Sequence, residues 1–243
     1  MKQFERKTLA FVMLLSIFTS CSDDDDNSNT VISVDDAAEL VAASMAVATY
    51  GAVSNMDYVS DQIVDILDCD ESESEIRSDT ETSNNGEITV SYTISESYSL
   101  ACSGGEETIS YNFSADQTTT SNPLDTDHSI NGDWLITGAE ATSTELIYNG
   151  SYSRGGEWTY NNEDNHTDTT NTSFVYNNVK ANKDDGIIFD GTSTFLLDGM
   201  STVYEPYNYE GNIVFQENNI CIATFSTGEQ YEIDLNTGEV TPL

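Results

Sequence analysis

From Ile88 onward the sequence alternates between apolar and polar residues, and this period of two constrains the fold more than any other feature. In the stretch EITVSYTISESYSLAC most of the intervening residues are Ser or Thr, and Glu96 interrupts the pattern. The apolar positions are Ile88, Val90, Tyr92, Ile94, Tyr98, Leu100 and Cys102. Because successive side chains of a β-strand point to opposite faces, the pattern predicts one long strand, or two in tandem, with one dry face.

The remaining sequence repeats this pattern between short turns. Ile109, Tyr111 and Phe113 alternate after the turn SGGE, and ELIYNGSYS contains Asn149–Gly150, a strong hairpin signal. IVFQENNICIATF and YEIDLNTGEVTPL predict two further hairpins. About ten strands with short connections predict a mainly β protein whose antiparallel meander forms a sandwich, an open barrel or a curved sheet.

Two helices are predicted before the strands. Ser33 can cap a helix whose first turn contains Asp35 and Asp36, and AAELVAASMAVATY continues it with helical spacing as far as Gly51. A second helix is predicted over residues 56–67, with its apolar residues on one face. We expect these apolar helices to cover one face or one end of the sheet.

The predicted helices and strands divide the chain into one folding unit with two polar connections. Residues 31–69 form the helical segment and residues 70–243 the β domain, which together suit a single domain. The acidic stretch 70–86 is predicted to be a loop. Residues 161–173, NNEDNHTDTTNTS, contain no apolar residue and predict an exposed loop or hairpin tip.

The N-terminus has the features of an export signal. Three basic residues occur among the first seven, and residues 8–19 are almost all apolar. This apolar run is shorter than the roughly 20 residues that a membrane-spanning helix needs, so residues 1–20 are predicted to be a signal peptide. Small residues precede Cys21, and the segment resembles the lipobox of bacterial lipoproteins, with Phe18 where Leu is usual. The resemblance implies that Cys21 carries the lipid anchor.

An acidic run follows this cysteine directly. It consists of Ser22, Asp23, Asp24, Asp25 and Asp26. The run resembles the export signal of Bacteroidota lipoproteins, which implies an outer-membrane protein that faces the cell exterior. Two alternatives stay open: the protein faces the periplasm, or residues 21–30 are only a tether, kept extended by repulsion between like charges.

Three cysteines remain after Cys21. Cys69 and Cys102 each end an apolar segment beside a polar turn, so they are the preferred disulfide pair in an exported protein. Cys221 lies within NICIATF and is predicted to be a small buried hydrophobic residue. Sequence alone leaves the connectivity open.

The charge of the chain excludes nucleic acid as a partner. The formal net charge is −36, and removal of residues 1–20, which hold three basic residues and one acidic residue, makes it −38. Affinity for nucleic acid comes largely from Lys and Arg contacts to phosphates, which this chain cannot supply in number. The partners left open are the membrane, through the lipid, and a protein or glycan at the cell surface.

Catalytic motifs are scarce. His128 and His166 are the only histidines, both in polar, loop-like stretches, and no G-x-S-x-G motif occurs. Neither a nucleophilic hydrolase nor a zinc site is predicted, and no cofactor is expected. A pair of carboxylates could serve a glycan hydrolase, but their separation cannot be deduced from sequence, so no catalytic residue is assigned.

Two acidic segments and one aromatic set are weaker candidates for binding. Calcium ligands could come from Asp125, Asp127, Asn131 and Asp133, or from Asp184, Asp185 and Asp190. Because ordinary turns explain both segments, no metal site is assigned. The aromatic residues that could stack on a sugar are Trp158, Tyr160, Tyr204, Tyr207 and Tyr209, although packing within the sheet also explains them.

Together these features predict a lipid-anchored surface protein that acts as a non-catalytic binding or structural module. The alternative is an extracytoplasmic, carboxylate-based glycan hydrolase.

Overall fold

The computed structural model describes residues 31–63, 68–82, 88–121, 124–161 and 166–243 of the chain. The predicted signal peptide, the lipidated cysteine and the acidic run, within residues 1–30, lie outside the described residues.

Two α-helices come first, each followed by a short turn of another helical type. They are α1 (Val34–Met45), a 3₁₀ turn (Val47–Thr49), α2 (Ala52–Tyr58) and a π-helical turn (Val59–Ile63). The side chain of Ser33 accepts a hydrogen bond from the backbone of Asp36 at 3.1 Å, and the Asp36 carboxylate accepts one from the Ser33 backbone. This capping box confirms the predicted start of α1.

The boundaries of the two helices differ from the prediction. α1 ends at Met45, several residues before Gly51, and α2 begins at Ala52 rather than at residue 56. A Cβ atom at Gly51 would overlap the backbone carbonyl of Met45, so only glycine allows the second helix to begin this close to the end of the first. Residues 64–67 of the predicted second helix lie outside the described residues.

The part of the chain that the structure describes forms eleven strands, one more than the approximate prediction. They are β1 (Ser72–Thr82), β2 (Thr89–Ser103), β3 (Glu106–Thr120), β4 (Leu124–Thr137), β5 (Glu145–Tyr160), β6 (Thr167–Asn182), β7 (Ile188–Ser201), β8 (Tyr207–Gln216), β9 (Ile220–Phe225), β10 (Gln230–Asp234) and β11 (Val240–Pro242). Each strand pairs antiparallel with the next, in the order β1 to β11. The predicted meander is therefore confirmed as one open sheet, and the sandwich alternative is wrong.

The acidic stretch predicted to be a loop contains a strand. β1 pairs with β2 over its whole length, from Ser72 opposite Ser99 to Thr82 opposite Thr89. Its residues on the helix-covered face are mostly acidic, so the hydrophobic alternation that marks the other strands is missing. The loop prediction for residues 70–86 is wrong over β1 for this reason.

One further prediction of a turn is wrong, and another is wrong in part. Asn149–Gly150 lies inside β5, where Gly150 has a φ of 139° and the register with β6 shifts between Tyr148 and Gly150. This is a β-bulge, which glycine allows because it tolerates a positive φ. Residues 161–173 were predicted to be an exposed loop or extended hairpin tip, and the connection between β5 and β6 does lie within this range. The prediction is wrong from Thr167 onward, where β6 begins and where Thr170 and Thr172 are buried.

The helices lie on one face of the sheet, here called the inner face, and the opposite face is called the outer face. One hydrophobic core contains residues of both helices and of strands β2 to β10. The backbone N–H of Val47 donates to Leu235 at 2.8 Å, and the Tyr148 hydroxyl donates to the Met56 carbonyl at 3.1 Å. These contacts fix the helices on the inner face and leave the outer face uncovered by any described residue.

Candidate functional site

The two cysteines favoured as a pair are joined by a disulfide bond. Cys69 and Cys102 lie 5.5 Å apart between their Cα atoms and close a loop with a sequence separation of 33. Cys221 is a free, fully buried thiol, as predicted, and burial raises its pKa. The disulfide therefore ties the chain just before β1 to the end of β2.

The calcium candidates do not come together. Asp125, Asp127, Asn131 and Asp133 all lie in β4, not in a turn, and they follow one another along its outer face. Eight residues of strand extend over about 26 Å, so the two ends of this set cannot share an ion. In the second segment Asp190 lies in β7 and accepts a bond from the Lys180 amine at 2.8 Å.

Elsewhere in the described ranges, only one group of candidate metal ligands is close enough to share an ion. It consists of Cys69, Cys102 and Glu107, and its two sulfur atoms already form the disulfide.

The aromatic candidates do not form an exposed platform. Tyr160 and Tyr207 are buried, the Trp158 indole donates to the Thr170 hydroxyl at 2.9 Å, and the Tyr209 hydroxyl donates to the carbonyl of Ile32. Tyr204, between β7 and β8, is the exposed one, at 40%. Packing on the inner face is therefore the role of four of the five, and the interpretation as a stacking surface for sugars is wrong for these four.

One network of ionisable groups, centred on the buried Glu96, lies near the edge strand β1. Glu96 is 2% exposed and accepts two bonds from the Arg77 guanidinium, at 2.5 and 3.1 Å. The Tyr111 hydroxyl also donates to Glu96, and the guanidinium lies 3.6 Å from the ring centre of Tyr58. The Tyr58 hydroxyl donates to Glu75 at 2.6 Å. The network ties α2, β1 and β2 together.

A second network joins the sheet to the end of α1. Arg154 of β5 is 6% exposed, and its Nη1 donates to the carbonyls of Ala43 and Thr49 at 2.9 and 3.1 Å. The Ala43 carbonyl lies in the last turn of α1, where the helix dipole favours a positive charge, and the Thr49 carbonyl ends the 3₁₀ turn. Arg154 therefore caps α1 from the sheet.

His128 belongs to the same network and not to a loop. It lies in β4 and is 1% exposed, and its Nδ1 accepts hydrogen bonds from Arg154. Burial, followed by the charge of Arg154, lowers the pKa of His128 to about 2. A histidine held in this way remains neutral and is shielded from solvent, so it serves packing and not proton transfer.

The outer face carries a groove with a cavity volume of about 640 Å³ that crosses strands β1 to β6. One wall is a row of residues paired across neighbouring strands, and it consists of Ser74, Ser97, Asn112, Asp133, Ser151 and Val175. The other wall is the row Ser95, Ser114, Asn131, Ser153 and Ser173. Small polar side chains thus line nearly the whole groove.

Backbone forms the floor of this groove. Between the two walls runs a third paired row of Glu96, Phe113, Gly132, Tyr152 and Phe174. Because side chains alternate between faces, the side chains of this row point to the inner face. The buried carboxylate of Glu96 therefore does not enter the groove, and Asp133 is the ionisable side chain of its walls.

The polar side chains of the walls have no partner within the described residues. On the same face beyond the groove, hydroxyls of β1 and β2 bond to each other, as in Ser78 with Thr93 at 2.9 Å and Thr80 with Ser91 at 3.0 Å. The ten polar wall side chains make no such bond or ion pair among the residues described. Their hydroxyl, amide and carboxylate groups remain available to a ligand.

The sequence predicts several of the strands that form this groove, but neither β1 nor the groove itself. The alternating Ser residues of β2, which include Ser95 and Ser97, are visible in the sequence as the polar half of the pattern. Their alignment with Asn112, Ser151 and the other wall residues depends on the register of six strands. That register cannot be deduced from composition or spacing.

Comparisons with known proteins add no relative, since no family model, curated protein or solved structure matches the chain. Among the residues described, no helix combines the length and apolarity needed to cross a bilayer.

Proposed function

We propose that this chain is a lipid-anchored protein of the outer membrane, displayed on the cell exterior, that binds a ligand through its outer groove and performs no catalysis. The short apolar N-terminal run that ends at Cys21 supports the anchor, and the run of four aspartates behind it supports the exterior location.

The observation that carries the binding function is the set of free polar groups in the groove. Exposed polar side chains without a protein partner are hydrogen-bonded to water, which a ligand can displace. Here ten of them line one concavity without partners among the described residues, while the hydroxyls of Ser78 and Thr93 beside it are paired. The helices already cover the inner face, so the outer face is the one that a ligand can reach.

The alternative of a carboxylate-based glycan hydrolase has less support. Such an enzyme needs two carboxyl groups across an open cleft. Glu75 and Glu96 are directly opposite each other on β1 and β2, but the side chain of Glu96 has no exposed area and is bonded to Arg77 and Tyr111. This pair lies on the inner face, away from the groove.

The anchor is tested by replacing Cys21 with Ala in the full-length protein. Loss of the acyl chains should move the protein from the detergent phase to the aqueous phase of a detergent partition, because acyl chains provide about 0.8 kcal/mol per buried methylene. Replacing Cys221 with Ala is the matched control and should leave the partition unchanged. A C21A protein that still enters the detergent phase would refute the lipid anchor.

The exterior location is tested by replacing Asp23 to Asp26 with Ala. Intact cells are treated with external protease, and the amount of surviving protein is measured. We expect the parent protein to be digested and the variant to survive on the periplasmic face. Equal digestion of both would show that the acidic run is only a tether.

The binding function is tested by capture on intact cells. The displayed protein is crosslinked and recovered, and the recovered material is compared between the parent chain and a double variant of the groove, Asn112→Ala with Asn131→Ala. A component that is captured by the parent and lost with the double variant would support binding through the groove.

A further inference from the structure

We infer that the groove binds an extended, uncharged glycan chain that runs across strands β1 to β6, an inference that depends on the proposed binding function. The hydrogen-bonding groups, the charge and the shape of the groove each support this ligand.

Hydrogen bonding favours a ligand rich in hydroxyl groups. Seven of the ten polar wall side chains are serines and two are asparagines, and each of these groups both donates and accepts hydrogen bonds. A sugar hydroxyl also donates and accepts, so it can bond to these side chains either as a donor or as an acceptor. Because these groups have no partner among the residues described, the ligand displaces water and breaks no bond within the protein.

Charge excludes anionic ligands. Asp133 lies in the middle of one wall, and Asp116 follows Ser114 on the same face of β3. The formal net charge of the chain is −36, and no Lys or Arg contributes to the groove. Phosphate, sulfate or carboxylate groups on a ligand would be repelled and would find no cationic partner. An uncharged chain would not be repelled and needs no cationic partner.

Shape favours a linear chain. Six strands at a spacing of about 4.8 Å make a groove about 24 Å long, and two residues along a strand place the walls about 6.7 Å apart. A long, narrow and shallow channel with a backbone floor suits an extended polymer better than a compact molecule.

A protein partner is disfavoured by the same residues. The centre of a protein interface is normally a desolvated cluster of aromatic or other large side chains. Val175 lines one end of the groove, and Ile76 and Leu196 are exposed beside its two ends, opposite Ser95 and Ser173. The centre of the groove has no apolar side chain, because the rings of Phe113, Tyr152 and Phe174 point to the inner face. Without such an anchor a single groove binds weakly, with a Kd on the order of 1 mM, and many displayed copies supply the avidity.

The experiment measures binding of full-length protein, purified in detergent, to soluble polysaccharides by affinity electrophoresis and calorimetry. The probes are three uncharged chains, namely dextran, galactomannan and xyloglucan, with polygalacturonate as the charged counterpart. We expect at least one uncharged chain to bind and polygalacturonate not to bind. Asn112→Ala with Asn131→Ala should weaken binding by about tenfold or more, because it removes two amide partners from opposite walls.

The matched control is Asn208→Ala with Asn212→Ala. These two amides lie exposed on the outer face of β8, outside the groove, so their loss should leave glycan binding unchanged. Failure of all three uncharged chains to bind, or equal weakening by both double variants, would overturn the inference. If a protein is captured on cells and lost with the groove variant while every glycan fails, the proposed binding function stands and the glycan assignment is wrong.

Discussion

Strand β1 and strands β9 and β10 lie near opposite ends of one sheet, and different interactions hold them there. No side chain of β1 is buried, and its inner-face positions are Glu73, Glu75, Arg77, Asp79 and Glu81. The inner-face residues of β9 and β10 are at most 3% exposed, and they are Cys221, Ala223, Phe225, Tyr231 and Ile233. The backbone pairing is antiparallel at both ends, but the inner-face side chains are charged in β1 and mostly apolar in β9 and β10.

This difference shows that a strand can be held in place without burying apolar side chains. β9 and β10 are stabilised by burial, which contributes about 25 cal/mol per Å² and responds little to redox state or acid. β1 depends instead on the disulfide, the pair of Arg77 with Glu96 and hydrogen bonds from tyrosines such as Tyr58. Native-state hydrogen exchange, measured strand by strand, can compare the two ends directly.

The largest expected effect comes from removing the disulfide with Cys69→Ala and Cys102→Ala. Opening a loop with a sequence separation of 33 should lower the free energy of unfolding by about 3–4 kcal/mol, because the unfolded chain gains freedom. Denaturant unfolding measures the total, and hydrogen exchange should show β1 losing more protection than β9 and β10.

The control for this variant is Cys221→Ala, which removes a buried thiol at the opposite end of the sheet. It should leave the exchange of β1 unchanged. Equal loss of protection at the two ends in the double cysteine variant would show that β1 depends on the disulfide no more than β9 and β10 do.

The next effect is expected from Glu96→Gln. The change leaves Arg77 without its buried charged partner and should lower the free energy of unfolding by about 2 kcal/mol. Glu232→Gln, at an exposed position of β10, is the matched control and should change stability very little. Thermal unfolding of both variants checks the difference, and equal shifts would contradict it.

A smaller effect is expected from single tyrosine hydroxyls. Tyr58→Phe keeps the ring beneath Arg77 but removes the bond to Glu75, at a cost of about 1 kcal/mol. Tyr231→Phe removes a comparable bond, from β10 to Asp35 of α1. Amide hydrogen exchange should become faster in β1 for Tyr58→Phe and at the start of α1 for Tyr231→Phe. The protection of β10 should be retained in both variants. Loss of β10 protection in the second variant would show that burial does not suffice there.

The smallest effect is a local response to acid. The hydrogen bond from Tyr58, together with Glu96 and Arg77, lowers the pKa of Glu75 below its ordinary value of 4.5. A carboxylate with a lowered pKa contributes stability above pH 4.5 that is lost as the pH falls through the folded-state value. Protection factors in β1 should therefore decline below pH 4.5 before those in β9. In Glu75→Gln this part of the acid response should disappear, and its persistence would assign it to another group.

The sequence predicted the fold where hydrophobic alternation survives and missed it where the inner face is polar. The meander, the helix cap at Ser33 and the C-terminal hairpins were predicted correctly because their residues match the local rules. β1 was missed because its inner-face positions are mostly carboxylates, and the tyrosines that bond to three of them lie 17 to 31 residues away in sequence. The start of β6 was missed because the buried Thr170 and Thr172 look like surface residues in a sequence.

The candidate site was less predictable than the fold. The groove arises from a register across six strands, and its walls consist of the Ser and Asn residues that the alternation marks only as solvent-facing. The prediction of a turn at Asn149–Gly150 failed because glycine also suits a bulge, and the flanking strands decide between the two. Both failures concern long-range pairing, which no local pattern encodes.

The capping of α1 by Arg154 has a consequence for the order in which the chain can assemble during synthesis. α1 is the first of the described elements to be made, yet the partner of its Ala43 carbonyl comes 111 residues later, and the partner of Asp35 comes 196 residues later. Until β5 and β10 have been made, the apolar side of the helix has no sheet to cover, and docking must wait for nearly the whole chain. Contacts this distant in sequence slow folding, because loop closure must precede any gain from them. Although α1 precedes every strand in the chain, it is therefore among the last elements to dock on the sheet.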